Sequence, residues 1–405
     1  MHVLMLSPGY PAEMPEFTRG LAEVGAQVIG VGDQPVAALP EKARRALSAY
    51  IQVRALFDEA RTVQEVTAEL RGRRIDRVES LWEPLMLLAA RLRAALGCPG
   101  LDVEATVPFR DKEQMKRRLD AAGLRTPHHT EATDIAGCWA AAERIGYPLI
   151  VKPIAGAGSA DTYRVDGPDD FREVLPRLRH VPRVSVEEFI DGEEYTFDTI
   201  CVDGRILYYN VAWYRPRPLI ARSHEWISPA VIALRDPDTE ELAGGVRLGR
   251  AVLAALRFGT GFTHMEWYRK ANGEVVFGEI GARPPGAHQV DQMNYAMDFD
   301  AFREWARAVV EGRCQVPSER RYNVATVFKR AQGQGRIRAI EGLNEIERRY
   351  GSAIVCNALL PVGAMRRNWQ QTLVSDGFLT ARHPQLRTVV EMADDIAANL
   401  RLSAG

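Results

Sequence analysis

Residues 264–285 read HMEWYRKANGEVVFGEIGARPP. Two mostly apolar runs, Met265 to Arg269 and Val275 to Ile280, flank Ala271-Asn272-Gly273. Asn-Gly accepts the left-handed backbone of a tight turn, so the stretch predicts an antiparallel hairpin. Glu266 lies on one arm and Glu279 on the other, and such a ladder can bring them together. Two carboxylates forced close repel unless a cation lies between them. Hard oxygen ligands suit Mg²⁺, which usually keeps waters and takes phosphates as its other ligands. Arg283 stands four residues beyond Glu279, and a fixed guanidinium there can neutralise phosphate through bidentate contacts. A core strand with a salt-bridged Glu–Arg pair is the plainer alternative, and this stretch alone leaves both open.

Upstream, the chemistry follows the lysines. There are only six, Lys42, Lys112, Lys116, Lys152, Lys270 and Lys329, against 46 arginines. The skew reads as codon bias, yet it makes each lysine position worth inspecting. Lys112 stands where Asp111 can cap a helix running to Ala122 and ended by Gly123. Lys152 ends the apolar run Tyr147 to Val151. A lysine there is expensive unless it meets an anion or reaches back to water. The next residues, Ala155 to Ala160, contain Gly156, Gly158 and Ser159. Glycines there free the backbone to aim N–H groups at an anion. This is not a P-loop, because GxxxxGK[ST] is absent. Farther on, Val186 to Thr196 reads VEEFIDGEEYT. By spacing alone that is a solvated acidic turn. It can also be a hinge whose backbone reads a purine edge while a carboxylate takes an amine or a ribose hydroxyl.

The surrounding pattern predicts α/β and α+β organisation. Strand His2–Leu6, a helix near 16–24 and strand Gln27–Val31 form a βαβ unit, and two amphipathic helices at 58–71 and 83–96 surround Arg77–Leu81. No GxGxxG is present, so no dinucleotide site is read there. A second region begins near Arg110 and alternates short strands with helices. It includes a long polar loop, 213–230, holding Arg215, Arg217, Arg222, His224 and two tryptophans. From about residue 313 short strands and a closing helix, Leu386 to Leu400, form a smaller α+β segment.

This order of features resembles the ATP-grasp superfamily, over roughly residues 105–312, in the layout of biotin carboxylase, D-alanine–D-alanine ligase and the L-amino-acid ligases. The resemblance implies an N-terminal Rossmann-like domain (1–107), an ATP-grasp domain (108–312) with a mobile lid (about 125–190), and a C-terminal α+β module (313–405). It implies that Lys112 and Lys152 bind ATP phosphates under the glycine loop (Gly156, Gly158, Ser159). Glu187 matches the acid that meets the adenine amine, with Glu188, Phe189 and Ile190 as hinge. Glu194 matches the ribose-binding acid. Glu266 and Glu279 match the ligands of Mg²⁺ or Mn²⁺, and Arg283, with Lys152, takes the catalytic part. Many members carry E-x-N-x-R at this point, and here Gly281 replaces the Asn. The implied reaction is ATP-dependent carboxylate–amine ligation through an acylphosphate. A bicarbonate-activating enzyme and a non-catalytic nucleotide-binding regulator are the alternatives, and Gly281 is the one feature that favours the last. Arg215, Arg217, His224 and His288 are candidates for holding the acid and amine substrates, solvated arginines being the alternative for the loop. His264 reads equally as a supporting or a catalytic residue.

Composition narrows the classes. The 405-residue chain is 46% hydrophobic and 26% charged, which is ordinary for a globular protein with a large core. A net charge of −1 argues against bulk nucleic-acid binding, which needs a positive field. No run of 18 apolar residues is present, so no membrane span is expected. The opening MHVLMLSPGYP lacks a charged leader pattern. Five scattered cysteines form no CxxC pair and predict free thiols in a reducing cytoplasm. Small-molecule substrates and a homodimer are the expected partners.

Overall fold

The computed structural model describes residues 1–154, 161–372 and 374–405. The expected glycine turn, with Gly156, Gly158 and Ser159, lies outside the described residues.

The first sheet is parallel. It contains β1 (His2–Leu6), β2 (Gln27–Gly32), β3 (Ala49–Gln52) and β4 (Arg77–Glu79), in the order β3-β2-β1-β4. A strand covered on both faces must be apolar throughout, and β1 is buried from Val3 to Leu6. The helix Met14–Glu23 packs on one face with Phe17 and Leu21, and the helices Glu59–Leu70 and Met86–Leu96 pack on the other. This is the expected Rossmann-like order, with one addition. β3 was not read from the sequence, because AYIQ is too short and too mixed to show a period.

A small antiparallel sheet follows. β5 (His129–Ala132), β6 (Leu149–Pro153), β7 (Tyr163–Val165) and β8 (Val184–Glu188) run in the order β5-β8-β6-β7. The helix Ile135–Ile145 buries Cys138, Ala141 and Ala142 against Leu149 and Val151. Leading into it, the helix Lys112–Ala121 starts as expected. The Asp111 carboxylate accepts from Glu113 N at 3.1 Å and Gln114 N at 2.9 Å, and Gly123 ends the turn at φ +72.

The largest sheet is antiparallel. β9 (Glu193–Val202), β10 (Arg205–Asn210), β11 (Ala212–Arg215), β12 (Ala230–Ala233), β13 (Gly261–Arg269), β14 (Val275–Gly281) and β15 (Asn323–Phe328) belong to it. Beyond them come β16 (Gln332–Gly333), β17 (Ile337–Glu341), β18 (Ile354–Asn357), β19 (Phe378–His383) and β20 (Arg401–Ala404). The path is β14-β13-β9-β11-β12-β15-β19-β18, with β10 on β9, while β16, β20 and β17 make a separate three-stranded sheet. Strands beyond residue 313 therefore continue the central sheet through the β12–β15 ladder rather than only packing on it.

The expected long loop at 213–230 needs correction. It is interrupted by β11, by the short helix Pro218–Ala221 and by β12, with Trp213 paired to Ile232. Burial alternates along β11, Ala212 and Tyr214 inward, Trp213 and Arg215 outward. The polar look of the stretch comes from its outward residues.

Close packing joins the helix Glu240–Ala255 to this sheet. A Cβ on Gly245 would lie 2.2 Å from the Trp267 ring, and one on Gly249 2.3 Å from the Phe197 ring. Trp267 is fully buried and stacks on Tyr195 at 4.8 Å. Alanine is about 1 kcal/mol better than glycine inside a helix. Gly245→Ala is nevertheless expected to destabilise by about 1–3 kcal/mol, because overpacking outweighs propensity. The check is the urea midpoint at unchanged m-value.

Candidate active site

The two hairpin carboxylates meet. β13 and β14 pair with Glu266 directly opposite Glu279. Like charges so placed destabilise a ladder unless something compensates. Part of the compensation is visible. Lys112 Nζ stands 3.1 Å from Glu279 Oε1. Glu266 Oε1 accepts from the Tyr214 hydroxyl at 3.3 Å and lies 3.6 Å from His264 Nε2. The side chains keep 30% and 27% of their exposure, toward one cleft, so their remaining lone pairs face open space. Among the described residues no group of three or more His, Cys, Asp or Glu forms a metal cage. Two carboxylates leave most of a coordination shell to phosphate and water, a donor set that fits Mg²⁺ or Mn²⁺. His264 is set by Asp198, whose Oδ1 lies 2.6 Å from Nδ1. Burial lowers the His264 pKa, but Asp198 and Glu266 outweigh it and push it up to about 9. The imidazolium in turn helps hold Glu266 below the usual carboxylate range, against burial.

Gly281 has a packing reason. A Cβ there would meet Arg283 Cγ at 3.2 Å and Nε at 3.5 Å. Without a side chain at 281, Arg283 lies across the strand end. Its Nε donates to Glu83 Oε2 at 2.8 Å and its Nη1 to Pro284 O at 2.9 Å. Glu83 also takes Arg110. Burial raises the Glu83 pKa, but Arg283 and Arg110 pull it below its ordinary value, so one carboxylate orients two guanidiniums. Glu83 opens the short 3-10 turn Glu83–Leu85 after β4 and carries no motif that would mark it.

Lys152 reaches the cleft from β6 and does not return to water. Its Nζ sits 3.0 Å from Glu187 Oε2. The other oxygen of Glu187 takes Lys116. Lys116 and Glu187 are 1% and 3% exposed, so one carboxylate serves a buried ammonium and, through Lys152, one at the cleft wall. Burial opposes that charge, but the two lysines hold the Glu187 carboxyl well below its ordinary range. Both oxygens are thus engaged by lysines, where the family resemblance has this acid meeting an amine. Lys116 was missed as a site residue, although it lies four positions after Lys112 and therefore on the same helix face.

The hinge is braced. Arg125 Nη2 donates to both Glu188 oxygens at 2.9 Å, and its Nε lies 2.9 Å from Glu274 in the hairpin turn. Phe189 N donates to Pro148 O at 3.1 Å. Arg217, read from sequence as a substrate residue, instead sits in the hinge. It donates to Ile190 O at 2.7 Å, lies 3.3 Å from Glu194 Oε2, and stands 4.9 Å and 4.8 Å from the centroids of Phe189 and Tyr268. The polar atoms of Glu194 and Ile190 draw it there from the short Pro218 helix start. Burial and nearby Glu266 push the Glu194 carboxyl up, against Arg217.

The other substrate candidates do not converge. Arg215 points outward, 3.1 Å from Asp394 and over the Trp213 ring. His224 pairs with Ser223 at 2.7 Å beside exposed Trp226 and does not line the cleft. Arg215 faces away because β11 alternates, and His224 lies exposed beyond the short helix Pro218–Ala221. His288 is nearer the N-terminal sheet. Its N donates to Glu13 at 2.9 Å and its Nδ1 lies 2.8 Å from Asp291. Burial lowers its pKa, and Asp291 and Glu13 reverse that into a net rise.

Residues 109–214 match the model of the ATP-grasp domain family. The L-arginine-specific L-amino acid ligase of Bacillus subtilis is 28% identical over 218 residues, 52% of this chain and 52% of that protein. A D-alanine–D-alanine ligase of Ectopseudomonas mendocina is 34% identical over 104 residues, 25% of this chain and 33% of that one. The chain spans about half the length, or less, of these curated relatives. The crystal structure of an L-amino acid ligase from Bacillus licheniformis superposes with TM-score 0.78 at 20% identity, covering 99% of this chain and 98% of that chain.

Two substitutions check the electrostatics. Glu187→Gln removes the carboxylate that pairs the buried Lys116 and is expected to cost about 3–5 kcal/mol of stability. Lys116→Met is expected to cost less, because Glu187 keeps Lys152. It also removes part of what depresses the Glu187 pKa, so that carboxyl takes a proton more readily. The stability this depressed carboxylate contributes is present above its unfolded pKa and lost as pH falls through the folded one. Raising the folded value shifts that loss upward, so the acid-unfolding midpoint of Lys116→Met is expected at higher pH than wild type. Arg217→Ala is expected to tighten MgADP binding several-fold, since Glu194 and Ile190 O become free for a ribose and a base. Calorimetric titration reads it, and weaker binding would instead make Arg217 a nucleotide ligand.

Proposed function

We propose that this chain, which carries an ATP-grasp domain, is an ATP-dependent ligase that joins the carboxylate of one small molecule to the amine of another. The observation that carries the reading is the cross-strand pair Glu266–Glu279, opened toward a cleft that also holds Lys112, Lys152 and Arg283. The two hairpin acids, with Lys112, Lys152 and Arg283 around them, suit a polyphosphate with its divalent ion. The metal on Glu266 and Glu279 would neutralise charge on the terminal phosphoryl group.

The residues around it would do the positioning. Phosphoryl transfer needs little covalent help from protein; it needs in-line placement and fixed opposite charge. Lys152, held by Glu187, and Lys112, held by Glu279, would meet phosphate oxygens. Arg283, held by Glu83, would face the attacking carboxylate and then the carboxyl–phosphate group. In the first half, a carboxylate oxygen of the acid forms a bond to the γ-phosphorus and ADP leaves. In the second, the amine nitrogen attacks the carbonyl carbon, phosphate leaves, and the amine gives up a proton. The fused ligand cleft lies between β6, β8 and the β13–β14 hairpin, so closure of the small sheet over it would keep water from the acylphosphate. We infer from this placement that residues of about 125–190 act as the lid.

A phosphate-release screen over pairs of amino acids tests the proposal. Release is expected only when an acid and an amine are both supplied, and Glu279→Ala is expected to lower it by about 10²-fold. Release that follows bicarbonate alone would replace this reading with bicarbonate activation. Nucleotide binding with no release under any pair would replace it with a regulator.

A further inference from the structure

A second cavity lies outside the cleft. Its walls are β4, the helix Met86–Leu96, the segment 99–106, the turn 257–262 and Ala282. It shares no lining residue with the cleft. Gly281 and Arg283 face the cleft while Ala282 between them faces this cavity.

Its polar lining divides in two. Some groups are already engaged. Arg93 donates to Val78 O and Leu101 O, each at 3.0 Å. Asp102 caps its helix through Ala105 N at 2.8 Å, and Asp203 pairs with Thr260. Three charged side chains are not engaged. Arg77, Glu79 and Arg257 make no side-chain hydrogen bond or ion pair with the described residues. Arg77 and Glu79 stand two apart on edge strand β4, hence on one face. Glu79 is half-buried and accepts no hydrogen bond from the described residues, and burial pushes its proton affinity up although Arg93 and Arg77 pull it down. Leu81, Met86 and Phe258 add apolar wall beside them.

One acid and two guanidiniums without hydrogen-bonded partners, beside an apolar wall, have a chemical complement. It is a molecule with one ammonium, one carboxylate and an apolar body. We propose that this cavity binds an α-amino acid with an apolar side chain, its ammonium on Glu79 and its carboxylate between Arg77 and Arg257. The bound amino acid bridges the N-terminal sheet to the turn before β13, and reaches the chain segment that carries Arg283 without entering the cleft. The site is independent of the ligase reading, because it requires no turnover.

The test is calorimetric titration of the full chain with L-leucine, L-valine and L-methionine. Their partial analogues serve as controls: 3-methylbutylamine lacks the carboxylate and 4-methylpentanoate lacks the ammonium. At least one amino acid is expected to bind, with both half-molecules about tenfold weaker or more. Glu79→Gln and Arg257→Gln are each expected to weaken it about tenfold, the loss of one charge-assisted contact. Arg257 is exposed and unengaged, so its variant leaves the fold intact should Glu79→Gln fail to fold. Arg283→Gln is expected to leave this binding unchanged. The proposal is overturned if none of the three amino acids binds. It is also overturned if Arg257→Gln binds like wild type, or if binding disappears in Arg283→Gln and persists in Glu79→Gln, which would seat the amino acid in the cleft.

Discussion

Two negative side chains locked opposite one another in a β-ladder set the problem that the surrounding residues solve. The register of β13 and β14 gives Glu266 and Glu279 no freedom to move apart. Lys112 approaches one, His264 and Tyr214 approach the other, and Arg283 crosses above the strand end. None of these neutralises the pair completely, and both carboxylates keep open faces toward the cleft. Holding two like charges in register is costly to the fold.

The second layer of that solution is rigid support from afar. Each cation in the cleft has a carboxylate behind it: Glu279 for Lys112, Glu187 for Lys152, Glu83 for Arg283. A long flexible side chain held this way loses its entropy on folding rather than on binding. The supports come from different parts of the chain, Glu83 lying 200 residues before Arg283. Glu83, in the turn after β4, thus orients a cleft arginine although no described residue before Lys112 lines the cleft.

The legible parts of the sequence were those governed by local rules. Asn272-Gly273 announced the hairpin, and with it the meeting of two acids. Asp111 and Gly123 marked both ends of one helix. Lys152 at the end of an apolar run announced a buried cation, and its partner is indeed an acid. What escaped was set by contacts distant along the chain. No local pattern could show that Glu83 would meet Arg283, or that β12 would pair with β15. Arg217 looked like any arginine of an Arg-rich stretch, and only the convergence of Glu194, Phe189 and Tyr268 reveals its seat. Lys116 is the instructive case. Its spacing from Lys112 was a local signal, and attention to helix faces would have found it.

The continuity of the large sheet bears on how the molecule can be divided. β12 joins β15 along Ala230 to Ala233 through four consecutive residue pairs. A cut at residue 312 would sever no flexible tether. It would strip β12 of its outer neighbour and expose a row of unsatisfied amides and carbonyls, a template for chain-to-chain stacking. Evolutionary shuffling of the C-terminal third, or its exchange between homologues, therefore has to preserve a strand that can zip onto that rim.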